Sequence, residues 1–163
     1  MKEKAIFAAV KRYLDKLNVK YISDPIPGGH SVYCPVLSIP GRLKFVSQTI
    51  ETRDTHLVTH AHCLIYTPSE RIDEMAKFVA LANYNMLLGN FDLDVDTGEV
   101  RHRLFLDCEG FRTLPLAILA RYLPIPLLML RQYGDAILSV AFDSTDAETA
   151  LDQAQKNDVF GKS

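Results

Sequence analysis

The sequence lacks any cluster of basic residues. Its 163 residues hold 18 Lys and Arg against 20 Asp and Glu, so the net charge is −2. A nucleic-acid-binding domain usually carries clustered Lys and Arg with a strongly basic balance, and a broad basic surface is also what attracts anionic lipid. We therefore expect neither nucleic acid nor a membrane surface among the partners of this chain.

Cysteine is scarce and widely spaced. Cys34, Cys63 and Cys108 form no Cys-x-x-Cys pair. An odd number of dispersed cysteines is typical of reduced thiols in a cytosolic protein. The first residues, from Met1 to Ala5, lack the apolar core of a signal peptide. We therefore expect a cytoplasmic protein.

The sequence has no uncharged hydrophobic run long enough to span a membrane. A membrane-spanning helix needs about 20 such residues. The most apolar stretch, Leu114–Phe142, is interrupted by Pro124 and Pro126 and carries three charged residues, Arg121, Arg131 and Asp135. This pattern predicts two helices of a soluble protein that meet at the Pro-Ile-Pro sequence.

Motifs for nucleotide binding and covalent catalysis are also missing. The Pro-Gly-Gly stretch in Asp24–Ser31 lacks the spacing of a phosphate-binding loop and is predicted to be a loop. No Gly-x-Ser-x-Gly motif is present, and Cys34 near His30 has no evident third partner. We predict a non-enzymatic protein with no catalytic residues, no cofactor and no resident metal.

What is present is a balanced globular composition, with 48% hydrophobic and 23% charged residues. This is usual for a soluble domain. The alternation and periodicity of apolar residues predict one α+β domain over residues 1–143 and a polar tail over residues 144–163. Its antiparallel sheet is flanked by helices in the order α-β-β-β-α-β-β-α.

The element boundaries follow from caps and breakers. Thr67–Glu70 and Thr145–Glu148 resemble capping boxes, Thr113 is a plausible cap, and the polar tail beyond Thr145 is expected to fray. The predicted helices are Lys2–Leu17, a helix from the first capping box to about Met86, Leu114–Leu123 and Pro126–Phe142. The three strands before the hairpin are Val32–Leu37, Leu43–Glu51 and Thr55–Tyr66, and Val19–Ser23 is left open as a short fourth strand.

The segment after Gly89 predicts a β-hairpin. Apolar residues alternate with Asp92, Asp94 and Asp96 on one side of the Thr97-Gly98 turn, and with Arg101 and Arg103 on the other. Side chains change face at every residue of a strand. The predicted register places Val95 opposite Val100, Phe91 opposite Leu104, Asp94 opposite Arg101 and Asp92 opposite Arg103.

The aspartates and the asparagines of this segment each allow a further interpretation. The three aspartates resemble the start of a calcium loop, but Gly98 falls at the seventh position and Arg103 at the twelfth, where an EF-hand needs Gly at the sixth and Glu at the twelfth. A hairpin is therefore the preferred interpretation. Asn83 and Asn90 are predicted to satisfy backbone groups at the turn from helix to strand.

The same segment carries a family resemblance. Asn83-Tyr84, Leu87–Phe91 and Asp96–Arg101 resemble the motif of the bacterial YbjN family, described as sensory transduction regulators. The resemblance implies a fold similar to type III secretion chaperones. It also implies a cytosolic homodimer that holds an extended segment of a client protein, and it brings no catalytic residues. Function is thus expected to be protein binding, as a chaperone or as a regulatory adaptor.

The apolar C-terminal helices are the predicted partner-binding surface. They contain more apolar residues than one face of a small sheet needs, and the excess is available for a dimer interface or a client groove. The alternative, in which both helices simply pack on the sheet, remains open. The six candidate residues are Leu116, Leu119, Leu127, Leu128, Leu130 and Ile137.

An alternative function rests on histidines. His56, His60 and His62 share one face of a predicted strand, and only His60 and His62 are close enough to bind one zinc ion. A third ligand would have to be His102 or an acidic residue. This arrangement would suit a metal-dependent hydrolase, which is the alternative to the protein-binding hypothesis.

Overall fold

A computed structural model describes residues 2–84 and 86–157, the side chains of residues 2–4 excepted. It confirms the α+β class, with an antiparallel sheet flanked by helices. The elements are α1 (Lys2–Lys16), β1 (Ile22–Ile26), β2 (Gly29–Ser38), β3 (Phe45–Thr52), β4 (His56–Tyr66), a 3₁₀ turn (Ser69–Arg71), α2 (Ile72–Asn83), β5 (Asn90–Leu93), β6 (Glu99–Asp107), α3 (Leu116–Tyr122), α4 (Ile125–Phe142) and α5 (Ala147–Lys156).

The six strands form one sheet in the order β1-β2-β3-β4-β6-β5, and every neighbouring pair is antiparallel. Alternate positions are buried along the central strands, and the register aligns them. Val32 lies opposite Ile50, and Thr52 lies opposite Leu57. Because side chains alternate between faces, these buried positions share one face, on which the helices pack.

The core consists of two hydrophobic clusters on that face. The larger joins α2, α4 and α5 to β4, β5 and β6, and includes Phe78, Phe91 and Leu130. The smaller joins α1 and α3 to β2, β3 and β4, and includes Val10 and Leu119. Helices from both ends of the chain therefore cover the same side of the sheet.

The prediction of two helices meeting at Pro-Ile-Pro is confirmed. α3 ends at Tyr122 and α4 begins at Ile125, with Pro126 in its first turn. Proline is tolerated there because the first-turn N–H groups have no partner within the helix. α4 is buried on most of its surface. No helix of the described residues has the length and apolar character needed to cross a membrane.

The prediction of a loop over Asp24–Ser31 is wrong. Its two halves belong to β1 and β2, which pair as a hairpin around Pro27 and Gly28, and Gly28 adopts a φ of +72°. Val19–Ser23 correspondingly overlaps β1 only at its end. Proline is compatible with an outer strand when its nitrogen faces away from the neighbour. The prolines and glycines therefore mark a tight turn and an outer strand.

The predicted register of the β5–β6 hairpin is wrong by two residues. Asp92 lies opposite Arg101, Phe91 opposite His102 and Leu93 opposite Val100. Asp94 closes a longer turn: its Oδ1 accepts hydrogen bonds from the N–H groups of Asp96 (2.9 Å) and Thr97 (3.2 Å). These bonds lower the pKa of Asp94. A two-residue shift leaves every side chain on its predicted face, so alternation could not detect it.

The predicted capping boxes are also wrong in detail. No side chain caps the 3₁₀ turn or α2, and α2 ends at Asn83, short of the predicted Met86. Thr113 does not cap α3, whose first flanking residue is Pro115. The cap of α5 is Asp146, one residue after the predicted Thr145. Its Oδ1 accepts from the Thr149 N–H at 2.9 Å.

The polar stretch expected to fray is largely a packed helix. α5 contributes Ala147, Ala150 and Ala154 to the larger core cluster, where it contacts α2 and α4. Small side chains give this helix a narrow apolar stripe that allows close packing, although its overall composition is polar. The tail residues beyond 157 lie outside the described part of the chain.

The candidate binding face of the sheet

The face of the sheet opposite the helices is the candidate functional site. Both core clusters belong to the other face, and no element within residues 2–84 and 86–157 is packed over this one. Its side chains come from the alternate positions of β3, β4, β5 and β6. An antiparallel sheet commonly keeps one face solvated, so this uncovered face is available to a partner.

Four nitrogen-rich side chains form the centre of the uncovered face. His60 lies opposite Arg103, and His62 lies opposite Arg101, on the neighbouring strands β4 and β6. Side chains directly opposite each other have Cβ atoms about 4.5–5.5 Å apart. The register therefore assembles two imidazoles and two guanidinium groups into one block.

His62 is held by partners on both sides of its ring. Its Nδ1 lies 2.6 Å from Glu99 Oε1, and its Nε2 lies 3.2 Å from Thr49 Oγ1. With one ring nitrogen protonated, the imidazole can donate to the carboxylate and accept from the hydroxyl. Both nitrogens are thus engaged within the sheet.

The two arginines share one carboxylate. Asp92 Oδ2 lies 3.4 Å from Arg101 Nε and 3.5 Å from Arg103 Nε. The other carboxylate oxygen, Oδ1, accepts a hydrogen bond from Asn90 Nδ2 at 2.6 Å. One negative charge therefore faces two positive charges at this point, and the guanidinium groups retain donors for other ligands.

His60 is the less constrained imidazole of the block. Its ring centroid lies 6.0 Å from that of His62. Partial burial lowers the pKa of His60, and the nearby Arg101 and His62 act in the same direction. His60 therefore favours the neutral form, in which one ring nitrogen donates and the other accepts a hydrogen bond.

The structure places His60 and His62 on one face, as the sequence predicted, but assembles no third ligand beside them. Within the described residues no group of three His, Cys, Asp or Glu side chains is placed to hold a metal ion. His102 lies opposite Ala61, among the buried positions of the helix-covered face. The strand register therefore separates His102 from the other two histidines.

The predicted partner-binding leucines divide into two groups. Leu119, Leu130 and Ile137 are completely buried in the core clusters of the chain itself. Their prediction as surface contacts is wrong, because the sheet and other helices already cover them. The other three, Leu116, Leu127 and Leu128, are partly exposed.

Sequence reasoning missed an apolar groove beside the uncovered face. β3 and β4 pair only as far as Ser47 and His62, and beyond that point a bulge precedes the pairing of Tyr66 with Glu99. Phe45 and Leu64 are exposed in the opening, which has a volume of about 360 Å³. Leu64 has a φ of +57°, a costly conformation for a leucine. No local sequence signal marks this bulge.

Asn83 performs the task predicted for it. Its Oδ1 accepts from the Phe91 N–H at 2.8 Å, and its Nδ2 donates to the Phe91 carbonyl at 2.9 Å. The amide side chain thus occupies the outward backbone groups of Phe91 in β5. The neighbouring Tyr84 and Leu87 are highly exposed, so the segment after α2 presents apolar side chains to solvent.

His102 occupies an apolar site on the covered face. Its ring packs edge to face against Phe91, and neither ring nitrogen has a hydrogen-bond partner in good geometry among the described residues. Burial lowers the pKa of His102 to about 4, against smaller raising effects of the Leu88 backbone and Asp92. The chain tolerates this site by keeping the imidazole neutral.

The three cysteines are buried free thiols. Burial raises the pKa of Cys34 and of Cys108 to about 11, and it also raises the pKa of Cys63. A thiol acts as a nucleophile in its deprotonated form. Buried and protonated, these residues pack as small apolar side chains.

No family model matches this chain, and no curated protein matches it either.

Proposed function

We propose that this chain is a non-enzymatic protein-binding domain of the cytoplasm, a chaperone or regulatory adaptor, that receives its partner on the uncovered face of its sheet. The observation that carries this proposal is the one-sided placement of the helices. Every helix contributes to a core on one face, whereas the opposite face presents paired polar groups together with exposed apolar side chains.

The chemistry of the uncovered face suits another polypeptide. The block formed by His60, His62, Arg101 and Arg103 offers donors to backbone carbonyls and carboxylates. Phe45 and Phe105, each more than half exposed, offer apolar contacts. Protein interfaces combine these two kinds of group, and Arg and aromatic residues are enriched among their strongest contacts.

The resemblance to the YbjN family supports the same role as an expectation. The motif residues that carry it lie at the end of α2 and in the β5–β6 hairpin, where Asn83 fixes the outer strand. Within the proposal these residues are structural, because they hold the hairpin that places Arg101 and Arg103 on the uncovered face.

The proposal is tested by placing one new carboxylate on either side of the sheet. His60→Glu and Phe45→Glu alter the uncovered face, and Ala76→Glu and Ala120→Glu alter exposed positions of α2 and α3. Full-length variants are used as bait after circular dichroism has confirmed their folding. Partners captured by chemical cross-linking are quantified by mass spectrometry.

We expect the His60 and Phe45 variants to reduce recovery of the same partner by about tenfold, equivalent to about 1.4 kcal/mol. The α2 and α3 variants should recover that partner as well as the unaltered chain does. Loss of the partner in the helix variants alone, or equal recovery in all four, would contradict the proposal.

A further inference from the structure

A recess of about 300 Å³ borders the uncovered face, at the point where β5 begins beside β6. Its lining comes from three strands and from the glycine that precedes β5: Val58, Gly89, Asn90, Arg103, Leu104 and Phe105. Of these six residues only Arg103 carries a charge. The recess therefore combines one cation with surroundings that are otherwise uncharged.

A polar row and an apolar row of side chains lie next to each other at the recess. The register aligns Asn90 of β5, Arg103 of β6 and His60 of β4 in one row. In the next row on the same face, Phe105 lies opposite Val58. Successive rows on one face are two residues apart along the strand, which is about 6.6 Å. A ligand that lies along β6 therefore meets the guanidinium first and an apolar surface one row further on.

The Arg103 guanidinium is held only loosely within the chain. Its Nε lies 3.5 Å from Asp92 Oδ2, an atom that Arg101 Nε also approaches, at 3.4 Å. Nearly half of the Arg103 side chain is exposed. Because this ion pair is shared and uses Nε, the terminal N–H groups of the guanidinium are available to a ligand.

Asn90 and Phe105 supply the other two kinds of contact. Asn90 Nδ2 donates within the chain, to Asp92 Oδ1 at 2.6 Å and to the Phe91 carbonyl at 3.3 Å, so its Oδ1 can accept an N–H from a ligand. The Phe105 ring is more than half exposed and packs against the His56 ring at a centroid distance of 5.0 Å. Its remaining surface suits an apolar side chain.

The charge at the recess favours an acidic ligand. A partner that covers the recess displaces water from the Arg103 guanidinium, and removing a charge from water is costly unless the charge is paired. Asp92 is already shared with Arg101. A partner that brings its own carboxylate avoids this cost, whereas a purely apolar or basic segment does not.

We infer that the recess binds an acidic side chain of an extended partner segment, together with an apolar side chain two positions away from it. The carboxylate of the partner accepts two hydrogen bonds from the Arg103 guanidinium, and the apolar side chain packs on Phe105. Side chains two positions apart in an extended chain point the same way and lie about 6.6 Å apart, which matches the two rows. The inference rests on the function proposed above and specifies the chemistry of its partner.

A selection from random peptides tests the inference without knowledge of the natural partner. The peptides are displayed on phage and joined to the coat protein through their C-terminus, so that they offer side-chain carboxylates and no terminal one. The full-length chain is the bait. We expect enrichment of sequences with Asp or Glu two positions from an apolar residue. Bait carrying Phe105→Ala should retain the acidic preference and lose the apolar one.

Two exposed arginines provide matched variants, Arg103→Gln at the recess and Arg121→Gln on α3. Binding of the most enriched peptide is measured by fluorescence anisotropy, after circular dichroism has confirmed folding. We expect Arg103→Gln to weaken binding at least about tenfold and Arg121→Gln to leave it unchanged. A peptide with Gln in place of its acidic residue should bind the unaltered chain and Arg103→Gln equally, because both changes remove the same interaction.

Enriched peptides without an acidic residue would overturn the inference, as would acidic peptides that bind Arg103→Gln as tightly as the unaltered chain. An absence of any enriched sequence would also count against it. The function proposed above is decided separately, because the cross-linking of partners to the Phe45 and His60 variants uses no peptide. Partner loss in those variants together with peptides that ignore Arg103 would leave that function standing and remove this inference.

Discussion

The two faces of the sheet are made from the same strands but obey different rules. On the helix-covered face even polar side chains are tied into the core: Gln48 Nε2 donates to Thr59 Oγ1 at 2.9 Å and to the Leu123 carbonyl at 2.8 Å. On the uncovered face His62 pairs with Glu99, and Arg101 and Arg103 pair with Asp92, all at the surface. Folding therefore constrains the side chains of the covered face strongly and those of the uncovered face weakly.

The largest expected contrast between the faces comes from removing apolar side chains. Leu130→Ala deletes a completely buried side chain of α4, and we expect a loss of about 2–5 kcal/mol in the free energy of unfolding. Val58→Ala, on the uncovered face, should cost about 1 kcal/mol or less. Chemical denaturation measures both. Equal losses of stability in the two variants would show that Val58 is packed as tightly as Leu130, which contradicts an open face.

Two glycines sharpen the contrast between packed and open backbone. Gly89 and Gly28 have nearly the same φ, +73° and +72°. A Cβ at Gly89 would collide with the Arg103 carbonyl and the His102 ring, whereas a Cβ at Gly28 would meet no atom within 4 Å. We expect Gly89→Ala to cost about 3 kcal/mol and Gly28→Ala about 1 kcal/mol.

Both glycine variants are measured by thermal and chemical unfolding. Because the two positions have nearly the same φ, the difference between their costs reports the close approach of β6 to Gly89. If the two substitutions cost the same, the packing of Gly89 against His102 and Arg103 would be refuted.

His102 makes the covered face sensitive to acid. Its pKa is about 4 in the folded chain and ordinarily 6.5, so between these values the unfolded chain binds a proton that the native chain does not. Stability should therefore fall as the pH is lowered from about 6.5 to 4, by about 2–3 kcal/mol in total. Below that range this contribution should not change further.

The control for this prediction is His102→Leu, which removes both the proton site and the unsatisfied ring nitrogens. We expect its unfolding free energy, measured at a series of pH values, to lack this part of the slope. A slope that is identical in the two proteins would assign the acid sensitivity to other groups.

A smaller effect is expected at the capped edge of β5. Asn83→Ala removes both hydrogen bonds to Phe91, and we expect a loss of about 1–2 kcal/mol. Asn83→Asp keeps the acceptor for the Phe91 N–H and loses the donor, so its cost should be lower. Hydrogen exchange of the Phe91 amide should be accelerated more by Ala than by Asp. The reverse order would contradict the capping role.

The sequence predicted the face of most side chains better than it predicted their partners. Alternation assigns Phe91, His102 and Asp92 to faces correctly, because a strand residue can point only two ways. The register depends on the turn, and Asp94 lengthens that turn through its own side-chain bonds. Proline and glycine likewise conceal the β1–β2 hairpin, because the same residues serve loops and tight turns.

The error over the C-terminal helices has a single physical cause. The apolar residues of α4 exceed what the sheet alone can bury, and α5 covers part of the excess. Its stripe of Ala147, Ala150 and Ala154 packs into the cluster with α4. Three alanines give a weak signal in a polar segment, so the sequence predicts a frayed tail in place of the covering helix and a binding surface at Leu130 and Ile137.

The candidate site was only partly foreseeable. His60 and His62 could be placed on one face from their spacing, and Arg101 and Arg103 from the hairpin alternation. Their meeting in one block depends on the pairing of β4 with β6, which are separated in sequence by α2 and β5. A single sequence contains no local signal for a pairing across that distance.

Photo-cross-linking from two matched phenylalanines tests the central claim most directly. Phe45 on the uncovered side and Phe142 at the end of α4 are 56% and 54% exposed, and each can be replaced by a photoreactive phenylalanine analogue in the full chain. If the uncovered face binds the partner, Phe45 will cross-link to it and Phe142 will not. Cross-linking from Phe142 alone, or equally from both positions, would contradict the account.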